Sequence, residues 1–300
     1  MIFNKNFDNI DTNLILNEIK NKGYFSFDEA LTSDFIDQIL KDVKNQGKSF
    51  NSNKISGVDF SPGNQFFLTH MMAVSKIFYK FCTHNHILNI CTNFFNNDKF
   101  RIKAFRYYEN FGGQNMQWHT DNKSQTNKND TRGLIIIVYL SDVFDGEFQF
   151  IEGSQEWSSK NQVNDYNNDY INKNFSKDIV SFKKKAGSIV IYNTYGIHRA
   201  KPSKDKDFIR KSLFIQIDEN LDVATPLYIN TEFIENLDDK IKTYLGFGLK
   251  ADQNIYPNSS MKTLPLNRDN FIIFYNWIKF RITSKILSIL PGFIRKKLRK

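Results

Sequence analysis

The sequence predicts a mainly β fold with helical additions, and three observations point to it. Between Lys99 and about Tyr228 the chain has short apolar segments separated by turn residues. Near the N-terminus, and again near the C-terminus, apolar residues recur at helical spacing. We therefore expect an N-terminal helical layer over residues 1–98, an antiparallel sandwich or barrel over residues 99–228, and a C-terminal helical extension with a basic tail over residues 229–300.

The N-terminal layer is predicted from apolar residues three and four positions apart. One helix carries Leu14, Ile15 and Ile19, and a second carries the apolar residues of 35–43. Between them, residues 23–27 are typical of a short strand, and the polar residues at 32–34 supply an N-cap for the second helix. Residues 48–65 are predicted to be a loop, and residues 66–95 a further helical stretch.

The central region is predicted to hold five principal strands. Its apolar segments are rich in Ile, Val, Phe and Tyr, and they cover residues 100–108, 133–140, 147–151, 188–192 and 211–217. The second of these is continuously apolar, which is typical of a strand at the centre of a core. Residues 154–180 are polar and are predicted to be a long loop.

The C-terminal segment is predicted to be a basic amphipathic helix. Apolar residues recur at helical spacing from Phe271 to Ile289, but Lys279, Arg281 and Lys285 interrupt them. Each cation at the centre of a membrane span costs about 2.5–3.5 kcal/mol, so the segment is a poor transmembrane helix. Two interpretations stay open: a helix that packs on the preceding domain, or a peripheral contact of residues 270–300 with an anionic membrane.

Composition and charge exclude several classes of protein. The chain has 300 residues, of which 40% are apolar, and this is too many for a disordered protein. The net charge is +9, but residues 270–300 hold eight basic and no acidic residues, so the rest of the chain is nearly neutral. We therefore expect no nucleic-acid partner, since such domains carry a basic stripe on their folded face. Two cysteines and no secretory signal indicate a cytoplasmic protein, or one peripheral to the inner face of a membrane.

Two short segments carry residues suited to metal binding. His119 and Asp121 are two positions apart, so in an extended chain their side chains point to the same face. His198 follows a strand much later in the chain, and on a neighbouring strand it would complete a 2-His-1-carboxylate set. Such a set leaves three positions open on Fe(II) for a co-substrate and dioxygen. A His-x-Asp pair alone also fits a histidine that caps a turn.

A third segment provides a cation for an anionic ligand. Arg210 follows His198 by twelve residues and stands at the start of an apolar strand. Ser212 is two positions on and therefore on the same face. An arginine in this place can bind a carboxylate through two parallel hydrogen bonds. Taken singly, Arg210 also fits a cation at the surface end of a strand.

Together these segments resemble the phytanoyl-CoA dioxygenase-like branch of the Fe(II)/2-oxoglutarate-dependent oxygenases. The resemblance covers roughly residues 14–217. Its motifs are Gly23-Tyr24, His119-Thr120-Asp121, the stretch from Tyr139-Leu140-Ser141-Asp142 through Gly146 to Glu152-Gly153-Ser154, Lys185-Ala186-Gly187-Ser188, His198-Arg199 and Arg210-Lys211-Ser212. It implies a double-stranded β-helix, or jelly roll, with His119, Asp121 and His198 as iron ligands. Arg210 and Ser212 would hold the distal carboxylate of 2-oxoglutarate. The chain departs from the family at Ala200, where relatives often have a hydroxyl residue.

The resemblance also implies the reaction and its cofactors. Fe(II), 2-oxoglutarate and O2 would together oxidise an unactivated C–H bond of a small or lipid- or sugar-linked metabolite, with release of succinate and CO2. Asp121 favours hydroxylation, because halogenating relatives lack this carboxylate. The resemblance places Tyr107 and Lys103 near the co-substrate, although Tyr107 equally fits a residue that packs in the core. The alternative function is a non-catalytic jelly roll that binds a carbohydrate or metabolite. The sequence leaves the oligomeric state open.

Overall fold

The computed structural model describes residues 1–47, 58–61, 65–111, 116–122, 131–157, 168–205, 207–219, 223–224, 227–251 and 268–291. It consists of two compact units, Met1–Asp252 and Gln253–Lys300. The helices are α1 (Lys5–Asp8), α2 (Thr12–Lys22), α3 (Ser33–Gly47), α4 (Met71–Val74), α5 (Lys76–Cys82), α6 (Asn85–Phe95), α7 (Asn168–Asn174), α8 (Asp239–Leu245) and α9 (Arg268–Ile289). The strands are β1 (Tyr24–Phe27), β2 (Val58–Ser61), β3 (Gln65–Leu68), β4 (Phe100–Phe111), β5 (Gly133–Tyr139), β6 (Phe148–Ile151), β7 (Ile179–Phe182), β8 (Ile189–Asn193), β9 (His198–Ala200), β10 (Ile209–Glu219), β11 (Val223–Ala224) and β12 (Lys250–Ala251).

Two antiparallel sheets form the centre of the first unit. The larger sheet has the strand order β1-β8-β5-β10-β4-β3-β2, and the smaller sheet has the order β7-β6-β9. A buried cluster joins Ile135, Tyr139 and Tyr192 of the larger sheet to Phe148 and Phe150 of the smaller one. The two sheets therefore face each other in a sandwich, an arrangement consistent with a jelly roll.

The helical layer covers the other face of the larger sheet. A second and larger cluster joins the sheet residues Leu134, Ile136 and Val138 to the helices α2, α3, α5 and α6. Strand β5 thus buries alternate side chains against the helices and against the smaller sheet. Burial on both faces is the physical reason for its continuously apolar sequence.

Most elements agree with the sequence-based prediction, and three regions differ. The strands predicted for the central region are present, as are α2, β1 and α3 near the N-terminus. The predicted loop at 154–180 instead holds α7 and β7, with residues 158–167 outside the described part. The predicted loop at 48–65 includes β2, and the helical stretch predicted at 66–95 begins instead with the strand β3, which pairs with β2 at the edge of the larger sheet. Local polarity suggested a loop, but edge strands and short helices tolerate polar residues on their exposed sides.

The first compact unit continues beyond the jelly-roll strands. Helix α8 contributes Ile241, Tyr244 and Leu245 to the cluster under the helical layer. The hydroxyl of Tyr244 lies 3.3 Å from the sulfur of Cys82 on α5. Residues 239–245 are therefore part of the packed unit.

The second unit contains α9, which corrects one expectation. At 100° per residue, Phe271, Ile272, Trp277, Phe280 and Ile282 are spread around the whole helix axis. The helix is present, but the predicted amphipathic pattern is wrong, because its apolar residues do not share one face. The basic tail at 292–300 lies outside the described residues. No helix in the described part of the chain is both long and apolar enough to cross a membrane.

Candidate metal centre

The two motif histidines lie side by side between the sheets. The backbone amide of His119 donates to the carbonyl of His198 at 3.0 Å, and the amide of His198 donates to the carbonyl of His119 at 2.9 Å. Their ring centroids are 4.4 Å apart. This antiparallel bridge extends the smaller sheet and brings together residues that are 79 positions apart in the chain.

Local hydrogen bonds determine the tautomer of both histidines. Nδ1 of His119 lies 2.8 Å from the carbonyl of Gln117, and Nδ1 of His198 lies 3.0 Å from the carbonyl of Gly196. Each Nδ1 must carry the proton, because a carbonyl can only accept. In the neutral form of each ring, Nε2 then presents its lone pair, as a metal ligand requires. Burial, together with the nearby His198, lowers the pKa of His119 and favours its neutral form.

Asp121 faces the same point from the segment after His119. Its Oδ2 lies 3.0 Å from Nε2 of His198 and accepts a hydrogen bond from the hydroxyl of Tyr192 at 3.1 Å. Its backbone amide donates to the carbonyl of Thr194 at 3.2 Å. Burial opposes ionisation, but attraction to His198 and His119 outweighs it, so the pKa of Asp121 is lowered. The carboxylate is thus held in its anionic form.

The donor set fits a divalent metal ion with an octahedral preference. One donor atom from each of His119, Asp121 and His198 lies within 4.8 Å of the other two, and no other such group occurs among the described residues. Bonds of about 2.1 Å put neighbouring octahedral ligands about 3 Å apart. The separation of Asp121 and His198 matches this value. Two imidazoles and one carboxylate on one face are typical of non-haem Fe(II) oxygenases.

The three candidate metal ligands open onto a cavity of about 350 Å³ between the sheets. One wall consists of alternate residues of β10, and neighbouring strands supply the rest. The lining comprises Arg106, Tyr108, Asn110, Met116, His119, Asp121, Ile137, Tyr139, Phe148, Tyr192, His198, Ala200, Arg210, Ser212, Phe214 and Gln216. A cavity that combines apolar walls with a few convergent polar groups is typical of a small-molecule site.

Arg210 supplies a buried cation to this cavity. Arg210 is 8% exposed, and its Nη1 donates to the carbonyl of Gly146. Its Nε has no hydrogen-bond partner among the described residues. The nearby hydroxyl of Tyr139 has no acceptor among these residues either. Burial lowers the pKa of Arg210, although arginine stays charged in proteins. A buried cation with an unused donor fits a carboxylate ligand, because such donors are rarely left unpaired.

Ser212 and Ala200 occupy the positions expected from the sequence. Ser212 is buried, lines the cavity two residues after Arg210, and pairs with Tyr139 across β5 and β10. Ala200 also lines the cavity, so a methyl group stands at this wall, where the resemblance led us to expect a hydroxyl. Trp118, by contrast, is fully buried beneath the motif with Ile151, Ile171 and Ile197.

The structure corrects the expected placement of Tyr107. On β4 the side chains that line the cavity are Arg106, Tyr108 and Asn110. Tyr107 lies on the opposite face, in the core beneath the helices, and donates to Glu109 Oε1 at 2.6 Å. The alternation was predicted, but the assignment of its two faces was reversed. Alternation alone does not say which face meets the helices.

Lys103 is also displaced from the cavity wall. The pairing of β4 with β10 shifts between Gln216 and Ile217, so Lys103 falls at a bulge opposite this step. Its Nζ lies 3.0 Å from Asp218 Oδ2 and 3.3 Å from Asn122 Oδ1. Lys103 therefore reaches an acidic group of the protein itself. This group adjoins the metal site, since Asn122 directly follows Asp121.

Several cavity residues were not identified from the sequence. Three of them are Tyr139, Tyr192 and Gln216, which lie in β5, β8 and β10. These strands are mainly apolar, so the sequence indicated only that their residues pack in the core. Arg199 was identified from the sequence as part of the His198-Arg199 motif. Its guanidinium lies 4.3 Å from the ring centroid of Trp118, so it connects the two metal-binding segments from behind.

Solved structures with a similar fold are known. SnoK, an α-ketoglutarate-dependent non-haem carbocyclase from nogalamycin biosynthesis, is 12% identical with a TM-score of 0.55, over 71% of this chain and 86% of that chain. HygX from Streptomyces hygroscopicus, solved with nickel and 2-oxoglutarate, is 12% identical with a TM-score of 0.53, over 72% and 91%. The epimerase SnoN is 14% identical with a TM-score of 0.54, over 69% and 83%. At this identity the likeness concerns the fold. No curated protein matches the sequence.

The family comparison covers most of the first compact unit, from the second half of α2 to the start of β10. The model of the phytanoyl-CoA dioxygenase family matches residues 19–212 and thus includes His119, Asp121, His198 and Arg210. The family consists of 2-oxoglutarate-dependent non-haem iron oxygenases, which use Fe(II) and 2-oxoglutarate. With the facial set of two histidines and a carboxylate beside a cavity with a buried arginine, this match shows that the chain belongs to the phytanoyl-CoA dioxygenase (PhyH) family.

Proposed function

We propose that the protein is an Fe(II)- and 2-oxoglutarate-dependent dioxygenase that hydroxylates an unactivated C–H bond of a small or lipid- or sugar-linked metabolite, with release of succinate and CO2. One observation carries the proposal. Three metal-binding side chains converge at a cavity whose wall holds a buried arginine with an unused donor. A site built only for a metal ion would not need that cation.

Different residues of the chain would bind the metal ion and the co-substrate. His119, Asp121 and His198 would hold Fe(II) on one face and leave the opposite face open to ligands. Arg210 would bind the C5 carboxylate of 2-oxoglutarate, with Ser212 and the Tyr139 hydroxyl as further donors. Bound iron supplies the chemistry that couples decarboxylation of 2-oxoglutarate to C–H oxidation. The apolar walls of the cavity, including Ile137, Phe148 and Phe214, exclude water from the reacting groups.

The hydroxylation outcome rests on Asp121 and has a direct test. A retained carboxylate leaves no vacancy for a halide, which favours hydroxylation over halogenation. Proteins of similar fold include a carbocyclase and an epimerase, so other outcomes of C–H oxidation are the alternatives. Mass spectrometry of the product distinguishes them, because hydroxylation adds one oxygen atom, ring closure removes two hydrogens, and epimerisation leaves the mass unchanged.

The first experiment needs no knowledge of the substrate. Anaerobic titration of the protein with Fe(II) and 2-oxoglutarate should produce a weak visible charge-transfer band. His119→Ala, Asp121→Ala and His198→Ala should each weaken the band and stop the slow formation of succinate in air. A non-catalytic jelly roll that binds a carbohydrate or metabolite predicts neither band nor succinate. Their absence from the wild-type protein would therefore contradict the proposal.

We also propose that residues 1–228 act as one oxygenase domain and that residues 229–300 are an extension, of which α8 packs with that domain and the basic part, residues 270–300, has a separate role. The eight basic residues of 270–300 support a peripheral contact with an anionic membrane, at about 1 kcal/mol per basic residue near the surface. Large apolar side chains of α9, including Phe280, are exposed. A cytoplasmic location at the inner face of a membrane fits both features.

Vesicle sedimentation tests the membrane contact. The full chain should sediment with phosphatidylglycerol vesicles, remain in solution with phosphatidylcholine vesicles, and be released by salt, which screens exposed charges. The triple variant Lys279→Glu, Arg281→Glu, Lys285→Glu should lose most of the binding. Binding to neither lipid would instead support a helix that packs against protein, and equal binding to both would contradict recognition of the anionic surface.

A further inference from the structure

Tyr192 lies directly behind the proposed metal ligands. It occupies β8, is 1% exposed, and packs its ring against Phe148 and His198 with centroid separations of 4.8 Å in each case. Its hydroxyl donates to Asp121 Oδ2 at 3.1 Å and lies 3.4 Å from His198 Nε2. The hydroxyl thus contacts two of the three donor atoms.

Packing explains the ring of Tyr192 but not its hydroxyl. A phenylalanine would make the same ring contacts with Phe148 and His198. The hydroxyl adds a polar group to a buried position next to apolar residues, where it costs free energy unless it forms a hydrogen bond. Its closest acceptor is the carboxylate of Asp121. The carboxylate of Asp121, rather than packing in the core, therefore explains the hydroxyl of Tyr192.

The hydrogen bond also limits how the carboxylate of Asp121 can turn. A carboxylate oxygen has two lone pairs, and the bond from Tyr192 uses one lone pair of Oδ2. The other lone pair of Oδ2 remains available for a metal ion bound by His119 and His198. Without this bond, the carboxylate could rotate about its last torsion and present both oxygens, which would take up a further coordination position.

We infer that Tyr192 is a positioning residue of the metal centre, which holds the Asp121 carboxylate so that one oxygen faces the metal. The inference rests on the metal site of the proposed function, but it goes beyond the three ligands. Hydrogen bonds to metal ligands typically contribute ten- to one-hundred-fold to metal affinity. Tyr192 acts through Asp121 and has no ligand role of its own.

Metal titration of Tyr192→Phe tests the inference. Without 2-oxoglutarate, the variant should bind Fe(II) and Co(II) roughly 10- to 100-fold more weakly than the wild type. The visible bands of the Co(II) form should change, because carboxylate orientation alters coordination geometry. The thermal midpoint of the metal-free protein should remain close to wild type, since the ring contacts are retained. A merely structural role would change this midpoint and leave the Co(II) bands alone.

Tyr107→Phe is the matched control. It also removes a buried tyrosine hydroxyl that donates to a carboxylate, Glu109, but on the helix side of β4. Its metal affinity should equal that of the wild type. In an Asp121→Ala background, Tyr192→Phe should cause no further loss of Co(II) affinity, because the group it acts through is gone.

The outcomes separate this inference from the proposed function. If the wild type binds no metal, the proposed function fails. If the wild type binds metal and Tyr192→Phe binds it equally well with the same Co(II) bands, only the positioning role is overturned. An intense tyrosinate band in the ferric wild-type protein that Tyr192→Phe abolishes would show direct ligation, and this would also overturn it.

Discussion

At the scale of single residues, the cavity is organised by side chains that have unused hydrogen-bonding capacity. Arg210 Nε and the hydroxyl of Tyr139 are buried without a partner for these donors in the described structure. Both lie on the same cavity as His119 and His198, whose Nε2 lone pairs are directed inward. Buried polar groups are normally satisfied, so such groups mark a place for a ligand.

Arg210 provides the prediction that separates co-substrate binding from metal binding. Arg210→Ala should raise the 2-oxoglutarate concentration needed for the charge-transfer band by at least ten- to one-hundred-fold, since about 1.4 kcal/mol corresponds to a factor of ten. Arg210→Lys should restore only part of this loss, because lysine keeps the charge without the planar fork. Ser212→Ala should show a smaller loss of the same kind.

The control for Arg210 is the metal itself. Affinity for Co(II) measured without 2-oxoglutarate should be unchanged in Arg210→Ala, because Arg210 is not one of the three metal-binding residues. An Arg210→Ala protein that binds 2-oxoglutarate as tightly as the wild type would contradict the assignment. Arg106, the other arginine that lines the cavity, would then be the next candidate.

At the scale of elements, the turn that precedes β6 supports the arginine. Asp145 Oδ2 accepts hydrogen bonds from the hydroxyl of Ser203 and from the amides of Lys204 and Asp205. The next residue, Gly146, accepts from Arg210. The backbone amide of Asp205 is the largest of the influences that lower the pKa of Asp145 to about 2. The carboxylate of Asp145 therefore connects two loops beside the end of the cavity where Arg210 lies.

Asp145→Asn should lower stability in a pH-dependent manner. A carboxylate whose pKa is depressed in the folded state stabilises it above the unfolded pKa of about 3.9, and this stabilisation is lost as the pH falls towards the folded value. The group is exposed to solvent, so we expect about 1 kcal/mol or less near pH 7. Urea unfolding between pH 3 and 7 should show the difference from wild type shrinking below about pH 4. A constant difference would contradict the role of the charge.

The turn between β8 and β9 holds a glycine for steric reasons. A Cβ at Gly196 would overlap the ring of Phe150, and the carbonyl of Gly196 orients His198 through its Nδ1. Gly196→Ala should therefore cost about 1–3 kcal/mol in unfolding free energy, as overpacking does. It should also weaken metal binding. The double variant Gly196→Ala, Phe150→Leu should recover part of the stability, whereas no recovery would show that the ring is not the obstacle.

At the scale of the whole molecule, the larger sheet separates two different environments. One face packs against helices and is apolar, and the other forms the cavity wall with its polar residues. The candidate metal ligands come from the smaller sheet and the segment bridged to it, whereas Arg210 comes from the larger sheet. Binding of metal and 2-oxoglutarate together would therefore link the two sheets.

This arrangement predicts that the two ligands stabilise the protein cooperatively. A ligand at one hundred times its dissociation constant adds about 2.7 kcal/mol to the folded state. In anaerobic thermal unfolding, the midpoint temperature should rise with Co(II), and it should rise by several further degrees when 2-oxoglutarate is added. Glutarate, which lacks the 2-oxo group, should add much less. A 2-oxoglutarate effect that is equal with and without metal would contradict binding at a shared site.

Much of the architecture follows from local patterns in the sequence. Periods of two and of three to four predicted the central strands and the N-terminal helices, because side-chain direction along a strand or helix depends on backbone geometry alone. The spacing of His119 and Asp121, with His198 downstream, likewise predicted a set of ligands for a metal ion. Arg210 predicted a binding site for a carboxylate, and the family resemblance indicated the reaction. These features are short-range or belong to a motif, so they can be read before the chain is folded.

The tertiary structure decided which face of each strand meets the cavity. Tyr107 and Tyr108 are adjacent and similar, and only the packing of helices against one face of β4 places Tyr108 at the site. The bulge opposite Gln216 removes Lys103 from the wall, and Tyr192 reaches Asp121 only because β8 lies behind the bridged histidines. Alternation determines that neighbours point apart, but the identity of each face depends on long-range packing, which no local pattern contains.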